Sequence, residues 1–271
     1  MTDTNTPDAQ SKGLPMPIRP MPLWQALLYF GLPALLFRIS IYNGTPAFIR
    51  LGLSPFESIV VGFTIPAAIL FALAFGFYKR DGYPLSWSDI KTRFRLLPMT
   101  GKDWLWAIGG FIVTFLSIGL LSFTALVLIK AIPAIAPPDF FPPWQKPGAA
   151  FDTALFTGFI GAPLKGNWGV AILFFVMLFF NILGEELWWR GYILPRQEKA
   201  HGRWTWAIHG LLWLLWHVTF YPWQAVALMP ICLAIPYIAQ RRQNTWPAII
   251  IHLQNGIVLL LVLAMVLGIG R

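Results

Sequence analysis

Seven apolar runs, most of them long enough to cross a bilayer, constrain this chain more than any other feature. A transmembrane helix needs about 20 mostly apolar residues. The runs are residues 24–42, 58–77, 104–132, 169–193, 204–221, 225–239 and 247–267. The sixth is the shortest and contains two prolines. We therefore expect an all-α, polytopic integral membrane helix bundle with about seven transmembrane helices.

The composition excludes a soluble domain and makes the lipid bilayer the expected partner. Hydrophobic residues make up 57% of the chain and charged residues 11%, and the mean hydropathy is +0.63. So few charges cannot cover the surface of a soluble protein of this size. The net charge is +9, and most of the basic residues lie between the apolar runs, as residues that orient a membrane protein do. We therefore expect no nucleic-acid partner.

The distribution of Lys and Arg predicts the orientation. If the N-terminus is cytoplasmic, thirteen of the twenty basic residues lie in inner segments, four in outer segments and three within the runs. This excess favours a cytoplasmic N-terminus, in a cell (inner) membrane. Residues 1–22 are polar and rich in proline, without the apolar core of a signal peptide, so they are expected to form a disordered cytoplasmic tail.

A short helix in the membrane interface is predicted between the second and third runs. Its apolar residues share one helical face, and its basic residues lie off that face. The apolar set is Trp87, Ile90, Phe94 and Leu97, and the basic set is Lys91 and Arg95.

Charges within the fourth run are the first candidates for function, because a charge inside a bilayer costs several kcal/mol. Glu186 and Arg190 are four residues apart and are expected to contact each other, either as a structural ion pair or as part of a site. Glu185 points about 100° away and has no local partner. An unpaired buried carboxylate suggests a function.

Two histidines lie at a depth similar to that of Glu185. At 1.5 Å per residue, Glu185 and His217 each lie about 20 Å from the basic loop between their runs, and His252 lies about 15 Å beyond Arg242. We expect these three side chains to converge around a water-sized space that opens to the cytoplasm past Arg190 and Arg196. His209, more than about 10 Å nearer the cytoplasm, is expected to be structural.

These residues resemble the signature motifs of one family. Glu185-Glu-Leu-Trp-Trp-Arg190 matches EExxxR, and Trp213 to His217 resembles FxxxH with Trp in place of Phe. His252 resembles the histidine of HxxxN, although Asn255 follows it by three positions rather than four. The pattern is similar to that of the CPBP (or ABI) family, the type II CAAX prenyl endopeptidases and bacteriocin-processing membrane proteins, over roughly residues 169–256.

The resemblance implies an intramembrane endopeptidase that acts on a peptide or membrane-protein substrate. It implies that Glu185 and His217 activate a water, and that His252 and Asn255 stabilise the oxyanion. Glu186 and Arg190 would then support the site or position the substrate. On this basis the chain divides into the tail, 1–22, an N-terminal transmembrane half with the interfacial helix and an outer loop, 23–168, and a catalytic transmembrane core, 169–271.

Alternatives remain open at this stage. Glu185, His217 and His252 could hold a divalent metal such as zinc, so the cofactor is undetermined. Cys232, the only cysteine, has no base near it in sequence, and neither G-x-S-x-G nor H-E-x-x-H is present. The chain could instead be a non-catalytic membrane protein for bacteriocin self-immunity or partner binding, or a proton-coupled transporter.

Overall fold

A computed structural model of the chain describes residues 17–148 and 153–269. Residues 1–16 of the predicted tail lie outside the described residues. The end of that tail is ordered, contrary to expectation, because Met21 is fully buried and its backbone N–H donates to the carbonyl of Arg196 at 3.0 Å.

The described residues form α-helices joined by short 3-10 and π segments, without a strand. The α-helices are α1 (Leu23–Ile39), α2 (Thr45–Arg50), α3 (Pro55–Arg80), α4 (Trp87–Arg93), α5 (Gly101–Leu121), α6 (Thr124–Ala131), α7 (Thr153–Ile160), α8 (Trp168–Glu186), α9 (Leu194–His201), α10 (Thr205–Val218), α11 (Met229–Arg242), α12 (Trp246–His252) and α13 (Ile257–Val266). The π segments are Ser40–Gly44 and Leu187–Ile193. The 3-10 segments are Pro133–Ile135, Pro143–Gln145, Gly202–Trp204, Pro222–Gln224 and Leu253–Gly256.

Five helical stretches in the described residues are long and apolar enough to cross a membrane. They are Leu23–Arg50, Pro55–Arg80, Gly101–Leu121, Trp168–Val218 and Trp246–Val266. The fourth stretch, of 51 residues, contains the fourth predicted run and most of the fifth. The chain is therefore an all-α, multi-pass membrane helix bundle, as its sequence predicts.

Two predicted spans differ from the structure in detail. The third run, 104–132, is divided between α5 and α6 by a turn at residues 122–123. Of the sixth run, 225–239, residues 225–228 form a turn and the rest lie in α11, which has only 14 residues. A helix of that length rises about 21 Å, less than the roughly 30 Å thickness of the hydrocarbon layer.

The short helix predicted between the second and third runs is present as α4, and a basic residue attaches it to the rest of the protein. Ser86 caps its N-terminus by accepting a hydrogen bond from the N–H of Asp89. The helix ends at Arg93, which is buried and donates to the carbonyls of Gly191 at 2.8 Å and Tyr192 at 3.3 Å. Burial lowers the pKa of the Arg93 guanidinium. α4 is thus attached to the π segment Leu187–Ile193.

Glycines allow the helices around the site to pack closely. A Cβ on Gly184 of α8 would lie 2.5 Å from the carbonyl oxygen of Ala67 in α3. A Cβ on Gly210 of α10 would lie 2.7 Å from the carbonyl oxygen of Cys232 in α11. Real Cβ contacts are not this short, so α8 lies directly against α3, and α10 against α11.

Candidate active site

The two glutamates lie at the end of α8, where the helix changes from α to π geometry. A π segment, with its i→i+5 hydrogen bonds, is rare and is frequently found at functional sites. Glu185 and Glu186 are 1% and 0% exposed, and Arg190, within the π segment Leu187–Ile193, is 0% exposed. The end of α8 and the π segment together place all three polar side chains inside the bundle.

Glu186 and Arg190 make the contact that their spacing predicts. Arg190 Nη1 donates to Glu186 Oε1 at 3.0 Å, and the guanidinium lies over the indole of Trp213 at 3.6 Å from the ring centroid. The structure adds a partner that the sequence did not indicate, because His252 Nδ1 lies 2.9 Å from the same carboxylate oxygen. Glu186 therefore connects the fourth predicted run to the seventh.

Glu185 is held by two neutral donors. Asn181 Nδ2 donates to Oε1 at 2.6 Å, and Trp213 Nε1 donates to Oε2 at 3.1 Å. Neither residue was a candidate from the sequence. A signal for Asn181 was available, since an amide in an apolar helix, four residues before a buried carboxylate, lies on the same helical face.

The tautomer of His217 follows from its hydrogen bond. Its Nδ1 lies 3.0 Å from the backbone carbonyl of Trp213, one turn earlier on α10. Because a carbonyl only accepts, Nδ1 carries the proton, and in the neutral ring Nε2 keeps a lone pair. His217 is half-buried, and this lone pair could receive a proton.

Cys232 has a base beside it in space, although none is near it in sequence. Its Sγ lies 3.6 Å from His217 Nδ1. However, the thiol is fully buried, and the imidazole nitrogen that it contacts already donates to a carbonyl. The arrangement lacks the free nitrogen lone pair that would activate a cysteine nucleophile.

The indole of Trp213 brings the candidate residues together. The imidazoles of His217 and His252 meet it edge-to-face, with ring centroids at 4.8 and 5.6 Å. Its N–H bonds to Glu185. Three helical stretches that are far apart in sequence therefore present their candidate side chains around one aromatic ring.

Asn255 reaches the same cluster because the helix tightens after His252. Residues Leu253–Gly256 form a 3-10 turn, in which residues three apart lie on the same face. Asn255 Nδ2 donates to Asn181 Oδ1 at 3.5 Å. The three-residue spacing from His252 to Asn255 thus places the amide next to the residue that holds Glu185.

Glu185, His217 and His252 are not gathered as a set of metal ligands in the described part of the structure. Within the described ranges, no three His, Cys, Asp or Glu side chains are placed to hold a metal ion. Nδ1 of His217 and Nδ1 of His252 each have a protein partner, so Nε2 is the nitrogen that each histidine has left to offer. We therefore derive no step through a metal.

The two arginines that were expected to line a path to the site are buried. Arg190 and Arg196 are 0% and 6% exposed. Arg196 instead pairs with Asp81 at the end of α3, at 3.2 Å. His209 is also buried, and its Nδ1 lies 2.6 Å from Gln197 Oε1, in agreement with a structural role.

Comparison with known proteins gives one finding. Residues 167–268 match the family model described as "Type II CAAX prenyl endopeptidase Rce1-like". The matched residues contain all six candidate site residues. No curated protein and no solved structure matches the chain.

Proposed function

We propose that this chain, whose residues 167–268 match the model of the type II CAAX prenyl endopeptidase family, is an intramembrane endopeptidase. At family level the match supports a membrane-embedded protease that acts on a peptide substrate. The observation that carries the proposal for this chain is the buried Glu185 carboxylate, grouped with His217 and His252 around the indole of Trp213.

In the proposed reaction, Glu185 and His217 activate a water. The water oxygen attacks the carbonyl carbon of the scissile peptide bond, and its proton passes to Glu185 or to the free Nε2 of His217. That proton then goes to the leaving amine as the C–N bond breaks, which regenerates both groups. Support comes from the orientation of the carboxylate by two donors and from the tautomer that Trp213 imposes on His217.

His252 and Asn255 would stabilise the oxyanion of the tetrahedral intermediate. Because Nδ1 of His252 faces Glu186, the ring would donate to the oxyanion from Nε2. This donation requires the doubly protonated ring, whose charge the Glu186 carboxylate would balance. Asn255 is exposed, and one of its two amide hydrogens remains for the substrate after its contact with Asn181.

Glu186 and Arg190 would position the site and the substrate. Arg190 uses only Nη1 on Glu186, and its Nε and Nη2 have no hydrogen-bond partner within residues 17–148 and 153–269. Buried donors of this kind suit a carbonyl of the peptide substrate. We also infer a cytoplasmic N-terminus in a cell membrane, from the excess of basic residues in the inner segments.

Cleavage by the purified protein in liposomes tests the proposal. The substrates are a library of membrane-embedded and leader-type peptides, with and without a prenyl group. We expect the wild type to cleave at least one peptide, Glu185→Gln to reduce kcat by at least about a thousand-fold, and His217→Asn to reduce it strongly. The matched control, Glu57→Gln at the N-terminus of α3, keeps its capping side chain in place and is expected to retain wild-type activity.

Two outcomes would contradict the proposal. Cys232→Ala is expected to remain active, so loss of cleavage with normal folding would indicate a cysteine nucleophile instead. Binding of a peptide by wild type and Glu185→Gln alike, without cleavage by either, would support the non-catalytic immunity or partner-binding function.

A further inference from the structure

The orientation of the Glu185 carboxylate depends on two neutral side chains from two helices. Asn181 approaches Oε1 from one turn earlier on α8, and Trp213 approaches Oε2 from α10. Among the described residues, no cation forms an ion pair with this carboxylate, which is only 1% exposed. Two donors on separate oxygens fix both the position and the plane of the carboxylate group.

Asn181 has a second contact, which links Glu185 to the far side of the site. Its amide donates through Nδ2 and accepts through Oδ1, and the bond to Glu185 decides which end faces which partner. With Nδ2 on the carboxylate, Oδ1 faces Asn255 and accepts from Asn255 Nδ2 at 3.5 Å. One amide thus touches both the proposed base and a proposed oxyanion donor.

Trp213 holds the opposite edge of the carboxylate and also contacts three other candidate groups. Its ring lies under the guanidinium of Arg190 and against both imidazoles, and its backbone carbonyl accepts from His217. Phenylalanine at this position would keep the ring contacts but could not donate to Glu185. The effect of the indole N–H can therefore be measured separately from the packing of the ring.

We propose that Asn181 is a positioning residue that holds the base Glu185 and the oxyanion donor Asn255 in fixed relation, with Trp213 as the second anchor of the carboxylate. This inference rests on the proposed function. Neither residue needs to touch the substrate, so the loss of either affects the chemical step rather than binding.

The test uses the peptide that the wild type cleaves fastest and measures kcat and KM across a pH series. Asn181→Leu is expected to lower kcat about ten- to a hundred-fold, and Trp213→Phe about ten-fold, with KM within about two-fold of wild type. In both variants the acidic limb of the kcat profile moves to higher pH, because the lost donor stabilised the ionised carboxylate. Asn43→Leu, at an exposed position outside the site, is the matched control and leaves kcat and the pH profile unchanged.

A second variant keeps the test decisive if Asn181→Leu does not fold. Asn181→Asp has the same size and keeps an acceptor for Asn255, but it turns an oxygen rather than a donor toward Glu185. We expect it to move the acidic limb further than Trp213→Phe does.

The outcomes separate this inference from the proposed function. Two results would overturn this inference and leave the proposed function standing. The first is a wild-type kcat with an unshifted pH profile in folded Asn181 and Trp213 variants. The second is a loss of activity that parallels a lower melting temperature, with no change in the pH profile. A wild type that cleaves no peptide, or a Glu185→Gln variant as active as wild type, would overturn the proposed function itself.

Discussion

Replacing Glu186 by Gln is expected to destabilise the protein by about 3–5 kcal/mol, because it leaves the Arg190 guanidinium buried without a counter-charge. Both side chains are 0% exposed, and the pair is joined by one bond of 3.0 Å. His252 loses its carboxylate partner at the same time. Within the described residues, Nε and Nη2 of Arg190 have no other hydrogen-bond partner that could compensate.

Thermal melting of the purified protein in detergent measures this loss. A chain of this size loses roughly 2 °C of melting temperature per kcal/mol, so Glu186→Gln is expected to melt about 6–10 °C lower than wild type. Combining Glu186→Met with Arg190→Met removes both charges and restores most of the stability, since a buried pair can be replaced by apolar residues at little cost.

Glu185→Gln serves as the internal comparison. It removes a buried charge that has no cationic partner in the described residues, and the amide of Asn181 can turn to suit the new side chain, so the melting temperature stays nearly unchanged. A Glu186→Gln variant that melts within about 2 °C of wild type would refute the reasoning, because the ion pair would then contribute little stability. If Glu185→Gln unfolds the protein, Glu185 is the structural glutamate, and the roles given to Glu185 and Glu186 are reversed.

Three further predictions follow from the packing, the orientation and the donor set. Gly184→Ala is expected to lower the melting temperature by several degrees, because its Cβ would meet the backbone of α3. The control Gly76→Ala, with nothing within 4 Å of the added Cβ, is expected to be neutral or slightly stabilising. Equal effects of the two substitutions would contradict the close packing. In a Cys232→Ala background, Ser88→Cys is expected to react with a membrane-impermeant thiol reagent only from the cytoplasmic side and Lys165→Cys only from the outside, and the reverse result would overturn the orientation. Peptide cleavage is expected to persist after prolonged treatment with a metal chelator. A loss of cleavage that added zinc reverses would show that the site holds a metal.

The sequence predicts the fold class and the pairing of Glu186 with Arg190, because both depend on local properties. Apolar run length sets the number of possible spans, and a four-residue spacing sets contact on a helix. The same spacing rule applies to Asn181 and Glu185. It does not indicate function by itself, since an isolated amide in a span is also common at helix–helix contacts.

Contacts between segments that are far apart in the chain could not be predicted from the sequence. The bond from His252 to Glu186 and the indole bond from Trp213 to Glu185 depend on how α8, α10 and α12 approach one another. The burial of Arg93 against the π segment likewise depends on tertiary contacts, because the apolar pattern of α4 indicates only which residues share a helical face. The 3-10 turn after His252, which brings Asn255 to the cluster, has no local signal that we can identify.

The π segment Leu187–Ile193 makes this part of the chain sensitive to its own length. Each residue of a helix contributes about 100° of rotation and 1.5 Å of rise, so deletion of one residue here would turn everything after it relative to Glu185 and Glu186. Arg196 would then face away from Asp81, and the indole of Trp213 away from Glu185. Single substitutions can be absorbed by neighbouring side chains, whereas insertions and deletions between residues 187 and 193 cannot. Related proteins that retain the activity are therefore expected to keep the number of residues between the two glutamates and the arginine of α9 unchanged.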